Sequence, residues 1–129
     1  MNDLSPQLRP YLLTQSAVTD LVGERIYPST APQRPQRPLL VYRRSESSYE
    51  YAQPGDVEIC KARVHFHCQG RSASEARALA HALRVAFDGL RGVLGDVTIA
   101  FTFLDTDQDR YEDNTESYET EQQIQFWYY

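Results

Sequence analysis

Residues 57–69, Val-Glu-Ile-Cys-Lys-Ala-Arg-Val-His-Phe-His-Cys-Gln, alternate between apolar and polar side chains. An alternation with a period of two is typical of a β-strand that has one buried face. The stretch therefore predicts a sheet with one side toward a core and the other toward water or a partner. The apolar side carries Cys60, Ala62, Val64, Phe66 and Cys68, and the polar side carries Lys61, Arg63, His65 and His67.

The segments on either side predict a hairpin and a helix. Residues 39–51 are rich in strand formers, and the turn dipeptide Pro54-Gly55 separates them from the next strand. On the other side, Ser72 and Glu75 have the spacing of a helix capping box. An apolar stripe then predicts an amphipathic helix over about 74–88.

The two ends of the chain complete the prediction of an α+β fold. Residues 4–15 and 16–22 have the apolar spacing of two short helices, and Gly23 follows the second. Residues 97–103 and 123–128 alternate as strands, with Val97, Ile99, Phe101 and Phe103 on one side of the first and Ile124, Phe126 and Tyr128 on one side of the second. We expect a mostly antiparallel sheet of four or more strands, with one long amphipathic helix and two short N-terminal helices packed on it.

Length and composition indicate one domain over residues 1–129. A chain of 129 residues with 41% hydrophobic side chains is large enough for a single core. No apolar run approaches the roughly 18 residues that would span a bilayer, and the N-terminus has no secretory pattern. Cys60 and Cys68 lie eight positions apart on one predicted strand. That separation is about 27 Å, so no disulfide is expected between them.

Charge is distributed unevenly along the chain, whose net charge is −5. Residues 105–121 contain eight acids and one base, Arg110, and we interpret them as an acidic loop. Residues 24–38 are rich in proline and arginine and predict an extended arm. An acidic chain with one short basic segment is not typical of a protein that binds nucleic acid by sequence.

Part of the acidic stretch has the spacing of a calcium-binding loop. Arg110 stands where such a loop needs glycine, and Glu112 stands where it needs an apolar residue. We therefore expect a solvated loop with no response to calcium. The residues at ligand positions are Asp105, Asp107, Asp109, Asp113 and Glu116.

Other candidate chemical sites are weaker still. His65 and His67 have the strand spacing of some zinc ligands, but no third ligand lies nearby in the sequence. No phosphate-binding loop or nucleophile elbow is present. We expect no catalytic residue, no metal and no cofactor.

Six segments, in this order, resemble one family. The chain is similar to the tail-completion, or head-to-tail joining, proteins (tail terminators) of long-tailed double-stranded DNA bacteriophages and prophages. The inserted repeat at Gln33–Pro38 departs from the family pattern. The segments are Leu21-Val22-Gly23, Ile26-Tyr27-Pro28, Ala31-Pro32-Gln33, Pro38-Leu39-Leu40-Val41-Tyr42, Ala73–Phe87 and Phe126-Trp127-Tyr128.

The resemblance implies a structural virion protein of the tail and neck, assembled in the cytoplasm of the bacterial host. Such a protein caps the tail tube and joins the tail to the head as a homo-oligomeric ring, expected to be a hexamer. Its partners would be the tail tube protein and a neck or head-completion protein, with no membrane and no cofactor. The alternative is a small non-enzymatic ligand-binding or regulatory domain, with weak calcium binding by residues 105–116.

Ring closure requires two different patches that meet between neighbouring copies. The sequence offers a basic arm and an acidic loop, and we expect them to meet across the contact while two C-terminal aromatic residues supply buried area. The acidic loop could instead face a passage for DNA. The expected contact residues are Arg34, Arg37, Arg43, Arg44, Asp105, Asp107, Asp109, Asp113, Glu116, Trp127 and Tyr129.

Overall fold

A computed structural model describes residues 3–51, 58–114 and 116–129. Among these residues, no helix is long and apolar enough to cross a membrane. The elements in chain order are α1 (Ser5–Leu12), α2 (Ser16–Val22), β1 (Ile26–Pro28), β2 (Leu39–Tyr51), β3 (Glu58–Gly70), α3 (Ala73–Phe87), β4 (Gly92–Leu94), β5 (Val97–Glu112) and β6 (Ser117–Tyr128).

The strands form one mixed six-stranded sheet in the order β1-β2-β3-β6-β5-β4. β1 runs parallel to β2, and every other neighbouring pair is antiparallel. The predicted turn at Pro54-Gly55 lies outside the described residues. The strands on either side of it pair as a hairpin, from Leu39 opposite Gln69 to Tyr51 opposite Glu58.

The core lies between the helices and one face of the sheet. Ser72 accepts a hydrogen bond from the backbone N–H of Glu75 at 3.1 Å, which caps α3 where the sequence pattern places its start. Phe87, near the end of α3, is fully buried. Its ring centroid lies 5.3 Å from those of both Phe66 and Phe126, so α3 is joined to the two central strands by aromatic packing.

The alternation in residues 60–68 of β3 and 124–128 of β6 matches their burial. All five apolar residues of β3 that the sequence places inward are buried, and so are Ile124, Phe126 and Tyr128 of β6. Cys60 and Cys68 are both buried on this one strand and form no disulfide with each other, as the sequence predicts. We call the face opposite the helices the open face.

The prediction of an acidic loop at residues 105–121 is wrong, because most of these residues lie in strands. Residues 97–112 belong to β5 and residues 117–128 to β6, with a short turn between them. The acids at 105, 107 and 109 alternate with Thr106, Gln108 and Arg110, which is a strand period that the high charge concealed. Cross-strand partners accommodate this charge, because Arg110 lies opposite Glu119 and Asp109 lies opposite Thr120.

The proline- and arginine-rich segment at 24–38 is held against its own chain and does not extend away from it. Ile26, the first residue of β1, is buried, and its carbonyl accepts a hydrogen bond from Arg9 Nε at 2.9 Å. Arg25 Nε donates to the carbonyl of Pro38 at 2.9 Å, which ties the start of the segment to its end. Residues 29–38 therefore connect the parallel strands β1 and β2 and lie close to their own chain.

Candidate functional site

Five charged or titratable residues form a network in the middle of the open face. His65 and His67 project from β3, Glu119 and Glu121 from the adjacent β6, and Arg110 from β5. His65 Nδ1 lies 2.7 Å from Glu121 Oε1, and His67 Nδ1 lies 3.1 Å from Glu119 Oε2. Arg110 donates to Glu121 and reaches within 3.7 Å of Glu119. We call these five residues the His–Glu network.

The network keeps its carboxylates ionised. Burial raises the pKa of Glu119, but the hydrogen bond from His67 and the charges of His67 and Arg110 outweigh it and leave the pKa below its usual value. The same balance holds for Glu121, where burial opposes the hydrogen bond from His65 and the charge of Arg110 and the net pKa is again lowered. Both side chains are thus anionic at neutral pH.

The network also contains two further possible metal ligands, Glu119 and Glu121, which the sequence around the histidines does not show. The ligand atoms of His67, Glu119 and Glu121 all lie within 4.8 Å of one another, which is close enough for one metal ion. Arg110 contacts both carboxylates and already supplies a positive charge there. The carboxylates lie some fifty positions downstream of His67, so only the register of β6 against β3 brings them together.

One end of the open face is aromatic and carries two basic residues. Phe101 and Phe103 are 38% and 50% exposed, and their rings meet edge to face at 4.7 Å. Phe101 lies opposite Trp127, and Lys61 Nζ lies 4.4 Å above the Trp127 ring. Arg63 lies in the next row of the same face. We call Lys61, Arg63, Phe101, Phe103 and Trp127 the aromatic patch.

The sequence pattern placed the two phenylalanines wrongly, on one side of their strand with Val97 and Ile99. A β-bulge between Ile99 and Phe101 shifts the alternation by one residue. Val97 and Ile99 therefore face the core, whereas Phe101 and Phe103 face outward. A bulge depends on the partner strand, so the sequence of β5 alone carries no clear signal for it.

The β5–β6 turn carries a second exposed aromatic pair, on the helix side of the sheet. Tyr111 and Tyr118 lie opposite each other, are 50% and 37% exposed, and have ring centroids 4.8 Å apart. Slight desolvation, followed by the charges of Glu116, Tyr118 and Asp113, raises the pKa of Tyr111. The acids of the turn therefore lie close to the pair. We call Tyr111, Asp113, Glu116 and Tyr118 the tyrosine tip.

Three of the four arginines expected at the ring contact lie against groups of their own chain. Arg43 donates to the carbonyl of Ser29 at 2.7 Å, and Arg44 pairs with Asp3 at 3.2 Å. Arg37 lines a pocket of its own chain with Glu112 and Glu119, so the basic segment already approaches the acidic hairpin intramolecularly. Arg34 is exposed and has no ion-pair partner among the described residues.

The predicted acids are divided between the two faces of the sheet. Asp105 lies at a bulge, 4.0 Å from Arg63 of the aromatic patch. Asp109 faces the helix side and pairs with Arg77 at 3.2 Å, and Asp107 is exposed on the same side. Asp113 and Glu116 lie exposed in the turn.

This arrangement excludes the calcium loop considered for residues 105–116. An extended strand rises about 3.4 Å per residue. Asp105, Asp107 and Asp109 are therefore spread along β5 and cannot wrap around one ion as a 12-residue calcium loop does. The remaining predicted contact residues lie at the end of β6. Trp127 is half-buried in the aromatic patch, and Tyr129 is 51% exposed with its backbone bonded to Thr98.

Two comparisons with known proteins find a match, one by family and one by fold. The profile of the family described as "Tail completion protein gp17" matches residues 6–129. A chain from the solved "Virion of native gene transfer agent (GTA) particle" has a similar fold, with a TM-score of 0.68 at 15% sequence identity over 97% of this chain and 93% of that one. Comparison with curated proteins finds no match.

Proposed function

We propose that this chain, which belongs to the family of tail completion protein gp17, is a structural virion protein that caps a phage-type tail tube and joins the tail to the head. The family match over nearly the whole chain carries this proposal. The likeness to a chain of a gene transfer agent virion supports the fold it requires. The role is structural, and none of the described residues is assigned to catalysis.

The proposed working form is a homo-oligomeric ring, expected to be a hexamer around the end of the tail tube. A tail tube has a central passage, and a cyclic ring is the assembly that continues such a passage. The ring would contact the tail tube protein on one side and a neck or head-completion protein on the other. Assembly would take place in the bacterial host, with the finished protein located in the virion.

The surfaces of the chain suit such an assembly. No helix among the described residues lies over the open face, which presents partly exposed aromatic side chains at one end. Aromatic residues are enriched where protein surfaces meet. The basic segment contributes little charge for a neighbour, because only Arg34 of its arginines is both exposed and without an ion pair or backbone partner among the described residues.

Two experiments test the function. In a strain that produces the particle encoding this chain, deletion of its gene should leave filled heads and separate tails, and expression from a plasmid should restore joined particles. Joined particles of normal tail length in the deletion strain would overturn the proposal. For the purified protein, light scattering should show a ring mass of about 89 kDa, which is six times the 14.9 kDa chain.

A further inference from the structure

Two exposed aromatic pairs lie on opposite faces of the β5–β6 hairpin. The Phe101–Phe103 pair belongs to the open face, in rows with Trp127 and Gln125. The Tyr111–Tyr118 pair belongs to the helix side, at the far end of the same hairpin. Phe103 and Tyr111 are eight residues apart on one strand, which corresponds to about 27 Å. The two pairs therefore cannot cover each other within one chain.

The charges around the two pairs have opposite sign. Lys61 and Arg63 border the phenylalanines on the open face, and Asp105 lies 4.0 Å from Arg63, so two bases and one acid give this surface a net positive charge. Asp113 and Glu116 border the tyrosines, and their charges act on Tyr111. The two surfaces thus combine apolar centres with opposite net charges, which is the complementarity expected of two surfaces that bind each other.

We propose that the aromatic patch of one copy binds the tyrosine tip of the next copy in the ring. This inference rests on the proposed ring-forming function and names its contact. The two surfaces differ, so the contact is heterologous, as a ring requires. Because they lie on opposite faces of one hairpin, each copy engages a neighbour on either side at once.

The contact assigns different tasks to its residues. Phe101, Phe103, Tyr111 and Tyr118 lose their exposed area and supply the apolar centre. Lys61 and Arg63 approach Asp113 and Glu116 of the neighbouring copy at the rim, where charges set orientation and exclude other arrangements more than they add affinity. Arg43 and Arg44 remain bonded within their own chain.

Engineered cysteines test the contact directly. A chain carrying Phe103→Cys and Tyr118→Cys, treated with a short bismaleimide, should give a ladder of dimers, trimers and higher species that ends at the ring size. Each single variant alone should give at most dimers, and an equimolar mixture of the two should give mixed dimers. Cys60 and Cys68 are 2% and 0% exposed, so they do not react in the folded protein.

A matched control uses Val93, which is 81% exposed on β4 and lies outside both surfaces. The pair Val93→Cys with Tyr118→Cys should give no ladder. An equal ladder from this control overturns the contact and leaves the ring function standing. The absence of a ladder from the Phe103 and Tyr118 pair does the same when light scattering shows that this doubly substituted chain itself still forms rings. A wild-type chain that stays monomeric at millimolar concentration overturns both.

A charge exchange provides the second test and does not depend on cross-linking. Lys61→Glu with Arg63→Glu should shift assembly to about tenfold higher protein concentration, and Asp113→Lys with Glu116→Lys should do the same. All four changes in one chain should restore assembly, because the two reversed surfaces again complement each other. Circular dichroism confirms folding of each variant. Failure of the combined variant to recover, with its fold intact, contradicts the proposed contact.

Discussion

Replacing Arg110 with glutamine tests the His–Glu network. The change removes the positive charge that contacts both Glu119 and Glu121 and leaves two neighbouring carboxylates facing the same side of the sheet. Glutamine can still donate one hydrogen bond, and it has no aromatic or β-branched bulk to disturb the strand. The resulting decrease in the free energy of unfolding therefore reports mainly on the lost charge.

The expected cost follows from how far the network is buried. Removing one partner of a fully buried ion pair costs about 3–5 kcal/mol, and exposed pairs contribute about 0–1 kcal/mol. The carboxylate side chains of Glu121 and Glu119 are only 8% and 16% exposed, but the Arg110 side chain is 47% exposed. We expect the free energy of unfolding to fall by about 1–2 kcal/mol at pH 7.5, between these limits.

The loss should depend on pH. The pKa values of Glu119 and Glu121 are lowered in the folded chain, so their stabilisation is present above the usual carboxyl pKa and is lost as the pH falls through the folded value. Without Arg110 the two pKa values move up toward the unfolded value. The variant should therefore lose less stability on acidification, and its difference from the wild type should narrow between pH 5 and pH 3.

Urea unfolding at one fixed protein concentration measures these changes, with fluorescence of Trp127 as the signal because the chain has a single tryptophan. Arg77→Gln is the matched control. Its partner Asp109 belongs to the same hairpin, but the two side chains are 65% and 55% exposed, so we expect a loss below about 0.5 kcal/mol. Equal losses in the two variants, or a difference for Arg110→Gln that stays constant down to pH 3, would refute the reasoning.

Three further outcomes follow from the fold and the site. Phe87→Ala should lower the free energy of unfolding by about 3–5 kcal/mol, because it opens a cavity among three aromatic rings. Val85→Ala, on the exposed side of α3, should change it by less than about 0.5 kcal/mol. Urea unfolding compares the two variants. Cys60 and Cys68 should react with a thiol reagent only after unfolding, since both are buried and burial raises the pKa of the Cys68 thiol; rapid labelling of the native chain would contradict this. Calcium at millimolar concentration should leave the melting temperature unchanged, because residues 105–112 belong to an extended strand, and a rise of several degrees would contradict that expectation.

Strands with unbroken alternation are the part of the fold that sequence predicts well. Within residues 60–68 of β3 and 124–128 of β6 every second side chain is apolar, and the burial of Phe66 and Phe126 follows directly. The parallel strand β1 was missed because three residues carry too short a pattern to distinguish a strand from an extended connection.

The β5 strand was misassigned for two physical reasons. Its second half is rich in acids, and a high charge density favours a solvated loop unless side chains of other elements pair with the charges. The partners are Arg77 from α3, Arg63 from β3 and Glu119 opposite Arg110, and all three depend on tertiary packing. The His–Glu network was missed for the same reason, since strand register is not a property of either strand alone.

The two bulges in β5 explain how one hairpin carries two different surfaces. In a regular strand Phe103 and Tyr111 would face the same side, because their positions differ by an even number. The first bulge, between Ile99 and Phe101, turns the phenylalanines outward, and the second, between Leu104 and Thr106, returns the alternation so that Tyr111 faces the helix side. A chain with both pairs on one face would favour a self-complementary dimer. With the pairs on opposite faces, each copy can bind one neighbour through the phenylalanines and another through the tyrosines, which is the arrangement that a closed ring requires.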